Sequence, residues 1–304
     1  LEAFLYSTDQ GVKKFSIIGL ISASLYVTTL FFIYKINGQL SLNSVILSVI
    51  WYLSLKLIQY TLMLGKSKII NLDYNEIISY LKNDYLSDTN KLLRYAFSSV
   101  IATIAFTATL KIDIVMLQYF AGSESVGIYS ITSSIADIYL VIPSAIGVSL
   151  FVNLTKKEMN LKSVQNLSSI YILFSLLLGG LMYLFSYKII ILIFGLKYAS
   201  SINSLYLLIP GLIFLSPSYV IANYNFANGL LNINRNIFLS GFITNLVLNI
   251  ILIPIYKDIG AAIASSVSYF IISYMFIIKI ARDNKLSKTR FIIPRINEFI
   301  NEIN

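Results

Sequence analysis

Residues 237–280 read IFLSGFITNLVLNIILIPIYKDIGAAIASSVSYFIISYMFIIKI. Two apolar stretches of about 20 residues flank the charged pair Lys257-Asp258, and this is the length that an α-helix needs to cross the hydrocarbon core of a bilayer. The stretches are too rich in Ile, Leu and Phe to alternate as the strand of a membrane barrel does. The segment therefore predicts two transmembrane helices joined by a short turn.

The same kind of apolar stretch recurs along the rest of the chain. The sequence predicts eight transmembrane helices, at residues 16–34, 41–63, 93–120, 127–152, 168–187, 202–223, 237–256 and 259–280. Backbone polar groups in a bilayer must be satisfied within each span, which favours a helical bundle. The predicted fold class is therefore an all-α polytopic membrane protein.

The composition supports this class and limits the chemistry. Of 304 residues, 57% are apolar and 12% are charged, whereas an ordinary soluble domain has about 25% charged residues. The chain has no His and no Cys, so it lacks the commonest general base and metal ligand and all thiol chemistry. We expect neither an enzyme nor a resident cofactor or metal.

The basic residues are distributed unevenly between the two sides of the predicted bundle. If the N-terminal segment is cytoplasmic, 17 of the 23 Lys and Arg residues fall on that side, five fall on the other side or in the helix halves next to it, and Lys56 lies within a span. The positive-inside rule then predicts that both ends of this chain are cytoplasmic. Most of the net charge of +9 is thus an insertion signal, and no nucleic-acid partner is expected.

The chain is expected to have four parts. Residues 1–64 hold two helices, and residues 65–91 form a polar cytoplasmic linker in which apolar residues recur at helical spacing, as in an interfacial amphipathic helix. Residues 92–282 form a six-helix bundle. Residues 283–304 form a basic cytoplasmic tail that anionic lipid attracts.

Charged residues within the predicted spans are the first candidates for a functional site, because each costs about 2.5–3.5 kcal/mol at the bilayer centre. Lys111 and Asp113 are too close in sequence to share a helix face, and the small polar residues around Asp113 favour an interior position for it. Asp137 shares a face with Ser130 and Ser134. This face either lines a substrate or proton path or forms a fixed interhelical hydrogen bond or ion pair.

Four further residues complete the set of candidates, and of these Lys56 and Arg94 are the weaker two. Asn245 and Asn249 are four residues apart on one helix face, where they either hold helices together or line a path. Lys56 lies near the end of its span and can extend its amine to the interface. Arg94 lies at the start of the third span.

Three segments resemble a known family. They are 112–131 (IDIVMLQYFAGSESVGIYSI), 189–198 (IIILIFGLKY) and 245–265 (NLVLNIILIPIYKDIGAAIAS). In this order and spacing they are similar to the polysaccharide (O-antigen, Wzx-type) flippases of the multidrug/oligosaccharidyl-lipid/polysaccharide exporter superfamily. The resemblance covers most of 90–282 and, more loosely, 1–64.

The resemblance implies a structure and a function. Members have twelve helices in two six-helix bundles around a central cavity, so this chain is expected to be an N-terminally truncated member that holds the last two helices of the first bundle and all of the second. Members move undecaprenyl-diphosphate-linked oligosaccharide across the bacterial inner membrane by alternating access. The implied partners are this lipid-linked substrate, membrane lipids and other polysaccharide-assembly proteins.

The resemblance also suggests roles for individual residues. Lys111 would attract the diphosphate, and Asp113 or Asp137 would couple the cycle to H⁺ or Na⁺. Two other functions stay open at this point. One is a cation-coupled multidrug or small-molecule exporter of the same superfamily, and the other is a membrane enzyme of envelope polysaccharide synthesis.

Overall fold

A computed structural model describes residues 85–155 and 161–292, together with Thr28, Thr29, Lys35, Trp51 and Ser54. The chain divides into two compact units, Leu1–Asn90 and Lys91–Asn304, and most described residues belong to the second. The predicted spans 16–34 and 41–63, most of the predicted linker 65–91 and the end of the tail therefore lie outside the described residues.

Five long helices make up the described part of the chain. They are α1 (Tyr85–Phe120), α2 (Gly122–Thr155), α3 (Leu161–Phe194), α4 (Ser201–Ala227) and α5 (Leu231–Asp283). Two short 3₁₀ helices, Leu196–Tyr198 and Lys288–Phe291, follow α3 and α5. Each long helix includes a stretch that is long and apolar enough to cross a membrane. The all-helical prediction is confirmed for these residues, whereas the total of eight spans stays a prediction.

Helix α5 folds back on itself at Lys257. This residue has φ 51° and ψ −127°, which are not helical values. Across the break, the Asn245 amide donates to the hydroxyls of Ser265 and Ser268, both at 3.2 Å, and Gly260 packs against the backbone of Leu252. Residues 231–256 and 258–283 are therefore two antiparallel arms, and they contain the predicted spans 237–256 and 259–280.

The turns of the chain lie at two opposite ends of the bundle. Gly122, Gly195 and Lys257 turn the chain with positive φ at one end, which we call the Gly122 end. Gly229, with φ 70°, turns it at the other, the Gly229 end. The basic residues near the Gly122 end are Lys188, Lys197 and Lys257; those near the Gly229 end include Arg94, Lys162, Arg235, Lys279 and Arg282. This separation agrees with the uneven charge distribution in the sequence, and the side of the membrane that each end faces stays a prediction.

Helix α4 lies at the centre of the bundle and packs against α2, α3 and α5. Small polar residues join it to its neighbours. Thr132 on α2 donates to the carbonyl of Ser201 at 3.0 Å, and Ser175 on α3 donates to the hydroxyl of Ser216. Since the hydrophobic effect does not drive helices together inside lipid, close packing and such hydrogen bonds hold the bundle together.

The α4–α5 contact is closest where α4 carries a Pro-Gly pair, Pro210-Gly211. The Ser266 hydroxyl on α5 donates to the carbonyl of Leu207 at 2.5 Å and accepts from the N–H of Gly211 at 3.2 Å. A Cβ at Gly211 would collide with the backbone of Ser266. Gly211 thus permits a close approach of the two helices, and Ser266 satisfies backbone groups beside a proline.

The observed helices are longer than the predicted spans. Helix α3 runs from Leu161 to Phe194, whereas its predicted span is 168–187, because hydropathy detects only the part of a helix that matches the hydrocarbon core. Likewise α1 begins at Tyr85, inside the predicted linker. The predicted tail, in turn, is anchored at its start, because Phe291 is fully buried and its 3₁₀ helix packs against α3.

Candidate functional site

An ion pair joins α1 to α2 in the middle of the predicted spans. The Lys111 ammonium lies 2.5 Å from a carboxylate oxygen of Asp137 and 3.3 Å from the Ser133 hydroxyl. The two charged side chains are 43% and 51% exposed within the described bundle. The sequence left two interpretations open for Asp137, a path-lining residue or a partner in an interhelical hydrogen bond or ion pair. The structure shows Asp137 in an interhelical ion pair. Because the pair is not enclosed, it also remains available to a ligand.

The surface around this ion pair combines polar and apolar side chains. On α1, Thr103 and Thr107 are exposed on the same side as Lys111, and on α2 Ser134 is exposed beside Asp137. Ile138 is 71% exposed next to them. A charged and hydroxyl-rich surface at this depth is costly against lipid tails, so it is expected to face a water-filled cavity or other protein.

Towards the Gly229 end, α4 contacts both α1 and α2. The Phe106 ring of α1 lies edge-on to Tyr219 of α4, with 5.6 Å between centroids, and Gly147 of α2 lies directly against the Asn223 side chain. A pocket of about 160 Å³ lies between α1, α4 and α5, and its lining includes Phe106, Tyr219 and Phe238. The Lys111–Asp137 pair and the exposed hydroxyls of Thr103, Thr107 and Ser134 form what we call the α1–α2 cleft.

Asp113 lies on the opposite face of α1 and is only 2% exposed. Its carboxylate accepts hydrogen bonds from the Tyr129 hydroxyl at 2.5 Å, the Ser265 hydroxyl at 3.2 Å and the backbone N–H of Ile114 at 2.9 Å. Asp113 thus joins α1 to α2 and to the second arm of α5. Among the described ion pairs, none includes Asp113.

The two asparagines extend the hydrogen bonds of Asp113 across α5. The Asn249 amide donates to the side-chain oxygen of Asn245 at 2.9 Å, and Asn245 donates in turn to Ser265, which donates to Asp113. Asn245 and Asn249 are both fully buried. The side-chain oxygen of Asn249 is buried without a hydrogen-bond partner. We call these residues and Tyr129 the Asp113 cluster.

The remaining predicted site residues lie apart from these two groups or bond only within their own helix. Ser130 donates to the carbonyl of Gly127, and Ser134 donates to the carbonyl of Ser130. Both hydroxyls therefore donate their hydrogen bond within α2. Arg94 is exposed near the Gly229 end. Lys56 lies outside the described residues.

Three residues of these arrangements were not predicted as site residues. Tyr129 and Ser265 complete the hydrogen bonding of Asp113, and Arg235 donates to Ser98 at 3.1 Å to join α5 to α1. A usable signal existed for the first two, since both stand in the family-like segments 112–131 and 245–265. For Arg235 the sequence offers only its basic charge.

Comparison with known proteins identifies one similar chain. It is an uncharacterized membrane protein of Methanocaldococcus jannaschii, 30% identical over 218 residues, a match that covers 67% of the present chain and 42% of that protein. The present chain thus matches less than half the length of this relative. No protein-family model matches the sequence, and no solved structure matches it. The long apolar helices and this relative agree that the chain is a multi-pass membrane protein.

Proposed function

We propose that this chain belongs to a transporter that moves a lipid-linked oligosaccharide, with an undecaprenyl-diphosphate carrier, across a bacterial inner membrane by alternating access. The observation that carries the proposal is the Lys111–Asp137 pair, which is half-exposed within the predicted spans beside exposed hydroxyls. Such a surface lowers the cost of desolvating a sugar and a diphosphate in the membrane. The sequence resemblance to the flippases supports the same function.

In this mechanism Lys111 attracts the diphosphate. Its ammonium lies 2.5 Å from Asp137, and the Lys111 side chain is 43% exposed, so a phosphate oxygen could approach the ammonium from the exposed side. Asp137 keeps the ammonium in place when no substrate is bound, since a cation without a partner at this depth is unfavourable. The exposed hydroxyls of Thr103, Thr107 and Ser134 would replace part of the hydration of the sugars.

We assign the coupling of transport to H⁺ or Na⁺ to Asp113 rather than to Asp137. Asp137 already has a cationic partner, whereas Asp113 is buried with hydroxyl and amide donors alone. A buried carboxylate without a counter-charge is strongly disfavoured, so binding H⁺ or Na⁺ would stabilise it. The unpartnered oxygen of Asn249 belongs to the same cluster and suits a small cation, which prefers oxygen ligands.

Deletion of the gene and complementation in its own host tests this function. We expect the deletion strain to lose surface polysaccharide and the wild-type gene to restore it. Asp113→Asn should fail to restore it at normal protein levels, whereas Lys188→Gln, which removes a charge near the Gly122 end, should restore it fully. Intact polysaccharide together with lost tolerance to cationic drugs would reject the flippase and favour a multidrug exporter.

A further inference from the structure

A second cavity lies between the two arms of α5. It opens at the Gly229 end and has a volume of about 450 Å³. Its walls include Ile237 on the first arm and Met275 and Ile278 on the second. Further along the arms, Ile243 and Phe270 are also exposed, at 56% and 45%.

Basic residues stand at the mouth of this groove. Lys279 and Arg282 line it, and its described lining contains no Asp or Glu. Arg235 stands next to it, because its guanidinium donates to the lining residue Asn236 at 3.1 Å. One carboxylate, Asp283, serves the two lining cations: it lies 2.8 Å from the Lys279 amine and 3.9 Å from Nε of Arg282. The mouth therefore keeps a net positive charge.

The cations and the apolar walls of the groove lie at different depths, as the headgroup and the acyl chains of a phospholipid do. The predicted spans of the two arms end at residues 237 and 280, so Lys279 and Arg282 stand at the level of the lipid phosphates and Ile237, Met275 and Ile278 at the level of the acyl chains. A guanidinium and an ammonium together suit a phosphodiester, since Arg binds phosphate with two parallel hydrogen bonds and Lys acts as a point charge.

We propose that this groove binds one anionic phospholipid, with its phosphate between Lys279 and Arg282 and one acyl chain along Ile237, Met275 and Ile278. A free phosphate would use the cations but not the apolar walls. The apolar walls favour a molecule that itself extends into the bilayer. Because the lining of the groove contains neither Lys111 nor Asp137, this lipid site does not depend on the proposed transport function.

Asp283 holds the two cations while the lipid is absent. Its carboxylate competes with the lipid phosphate for Lys279 and Arg282, since both anions require the same N–H donors. Removing this one negative charge should therefore strengthen lipid binding, whereas removing the cations should weaken it. A general loss of structure would weaken lipid binding in both kinds of variant, so stronger binding without Asp283 distinguishes a specific site from misfolding.

Native mass spectrometry of the purified chain in detergent tests the site, with phosphatidylglycerol as the anionic lipid and phosphatidylcholine as the reference. Lys279→Gln/Arg282→Gln should reduce the number of retained phosphatidylglycerol molecules by one, and Asp283→Asn should raise the affinity several-fold. Ile278→Trp, which fills the groove without changing charge, should also remove one lipid. The control Lys188→Gln/Lys197→Gln removes the same charge near the opposite end and should leave retention unchanged.

Three results would overturn the lipid site. If both double variants lost the same number of phosphatidylglycerol molecules, retention would depend only on the net charge of the protein and not on this groove. Unchanged retention in Ile278→Trp would mean that no acyl chain occupies the groove. Displacement of the lipid by inorganic phosphate or by a polyprenyl diphosphate at lower concentration than phosphatidylglycerol would assign the groove to a free anion or to a transport substrate. Melting temperatures equal to that of the wild type would establish that each variant is folded.

Discussion

Lys111 and Asp113 lie two residues apart, and because a helix turns by about 100° per residue they point to opposite sides of α1. Asp113 is enclosed by Tyr129 and Ser265, whereas Lys111 is half-exposed in an ion pair with Asp137. The opposite faces, and an interior position for Asp113, could be predicted from spacing alone. The partners could not, because they stand on other helices, Tyr129 and Asp137 on α2 and Ser265 on α5, and the rotation of these helices about their axes does not follow from spacing within α1.

The enclosed position of Asp113 predicts a large effect on stability. Asp113→Ala would leave two buried hydroxyls, those of Tyr129 and Ser265, without their acceptor, at a cost of about 1–3 kcal/mol for each. Asp113→Asn keeps one side-chain oxygen and should cost less. Thermal unfolding in detergent should rank Asp113→Ala as the least stable, followed by Asp113→Asn.

Asp137→Ala is the matched control, since it removes the same group from a half-exposed position. We expect it to lower the melting temperature less than Asp113→Ala does, because the Lys111 and Asp137 side chains are both partly exposed and the unpaired ammonium can still contact water. A loss of stability in Asp137→Ala as large as that in Asp113→Ala would contradict the account of the Asp113 cluster.

At the scale of elements, the fold-back of α5 is the feature that the sequence indicates best. The Lys-Asp pair at 257–258 separates two apolar stretches, and the structure breaks the helix at Lys257. The contacts between the two arms are harder to predict from the sequence. The four-residue spacing of Asn245 and Asn249 predicts that they share a face, but their pairing with Ser265 and Ser268 depends on the register of the two arms, which hydropathy does not encode.

A disulfide tests the fold-back directly, because the chain contains no other Cys. A Cβ built on Gly241 would lie 3.8 Å from the Cβ of Ile272, which is the usual separation in a disulfide. In an unbroken helix these residues would be about 46 Å apart. Gly241→Cys/Ile272→Cys should therefore cross-link under mild oxidation.

Proteolysis between the two positions, followed by electrophoresis with and without reductant, detects this cross-link. Gly180→Cys/Ile272→Cys is the control, since a Cβ on Gly180 meets open space, and it should not cross-link. Cross-linking only between separate molecules would contradict the antiparallel arms.

The conformation of Lys257 predicts a stabilising substitution. A positive φ is unfavourable for a residue with a Cβ but not for Gly, so Lys257→Gly should raise the free energy of unfolding by about 0.5–1 kcal/mol. Lys197→Gly, in a 3₁₀ helix without a positive φ, should lower it. Chemical denaturation of both variants measures the difference, and a loss of stability in Lys257→Gly would show that the turn does not need this φ.

At the scale of the whole molecule, the described bundle has two candidate binding surfaces with different chemistry. The α1–α2 cleft holds an ion pair and hydroxyls at mid-span, and the groove between the arms of α5 holds cations at the Gly229 end. Composition alone predicted a helical membrane bundle, because few charges and long apolar stretches leave no other economical arrangement. The surfaces needed the structure, since each is assembled from separate helices.

Transport by the intact protein in liposomes tests the proposed role of the Lys111–Asp137 pair. The substrate is a fluorescent polyprenyl-diphosphate oligosaccharide, and its movement between leaflets is followed by the loss of fluorescence to a membrane-impermeant reductant. We expect Lys111→Asp and Asp137→Lys to reduce the rate by about tenfold or more, equivalent to about 1.4 kcal/mol in the barrier. If the pair itself is what matters, Lys111→Asp/Asp137→Lys should recover part of this rate. Transport of the lipid-linked oligosaccharide no faster than in protein-free liposomes, or rates unaffected by all three variants, would contradict the account.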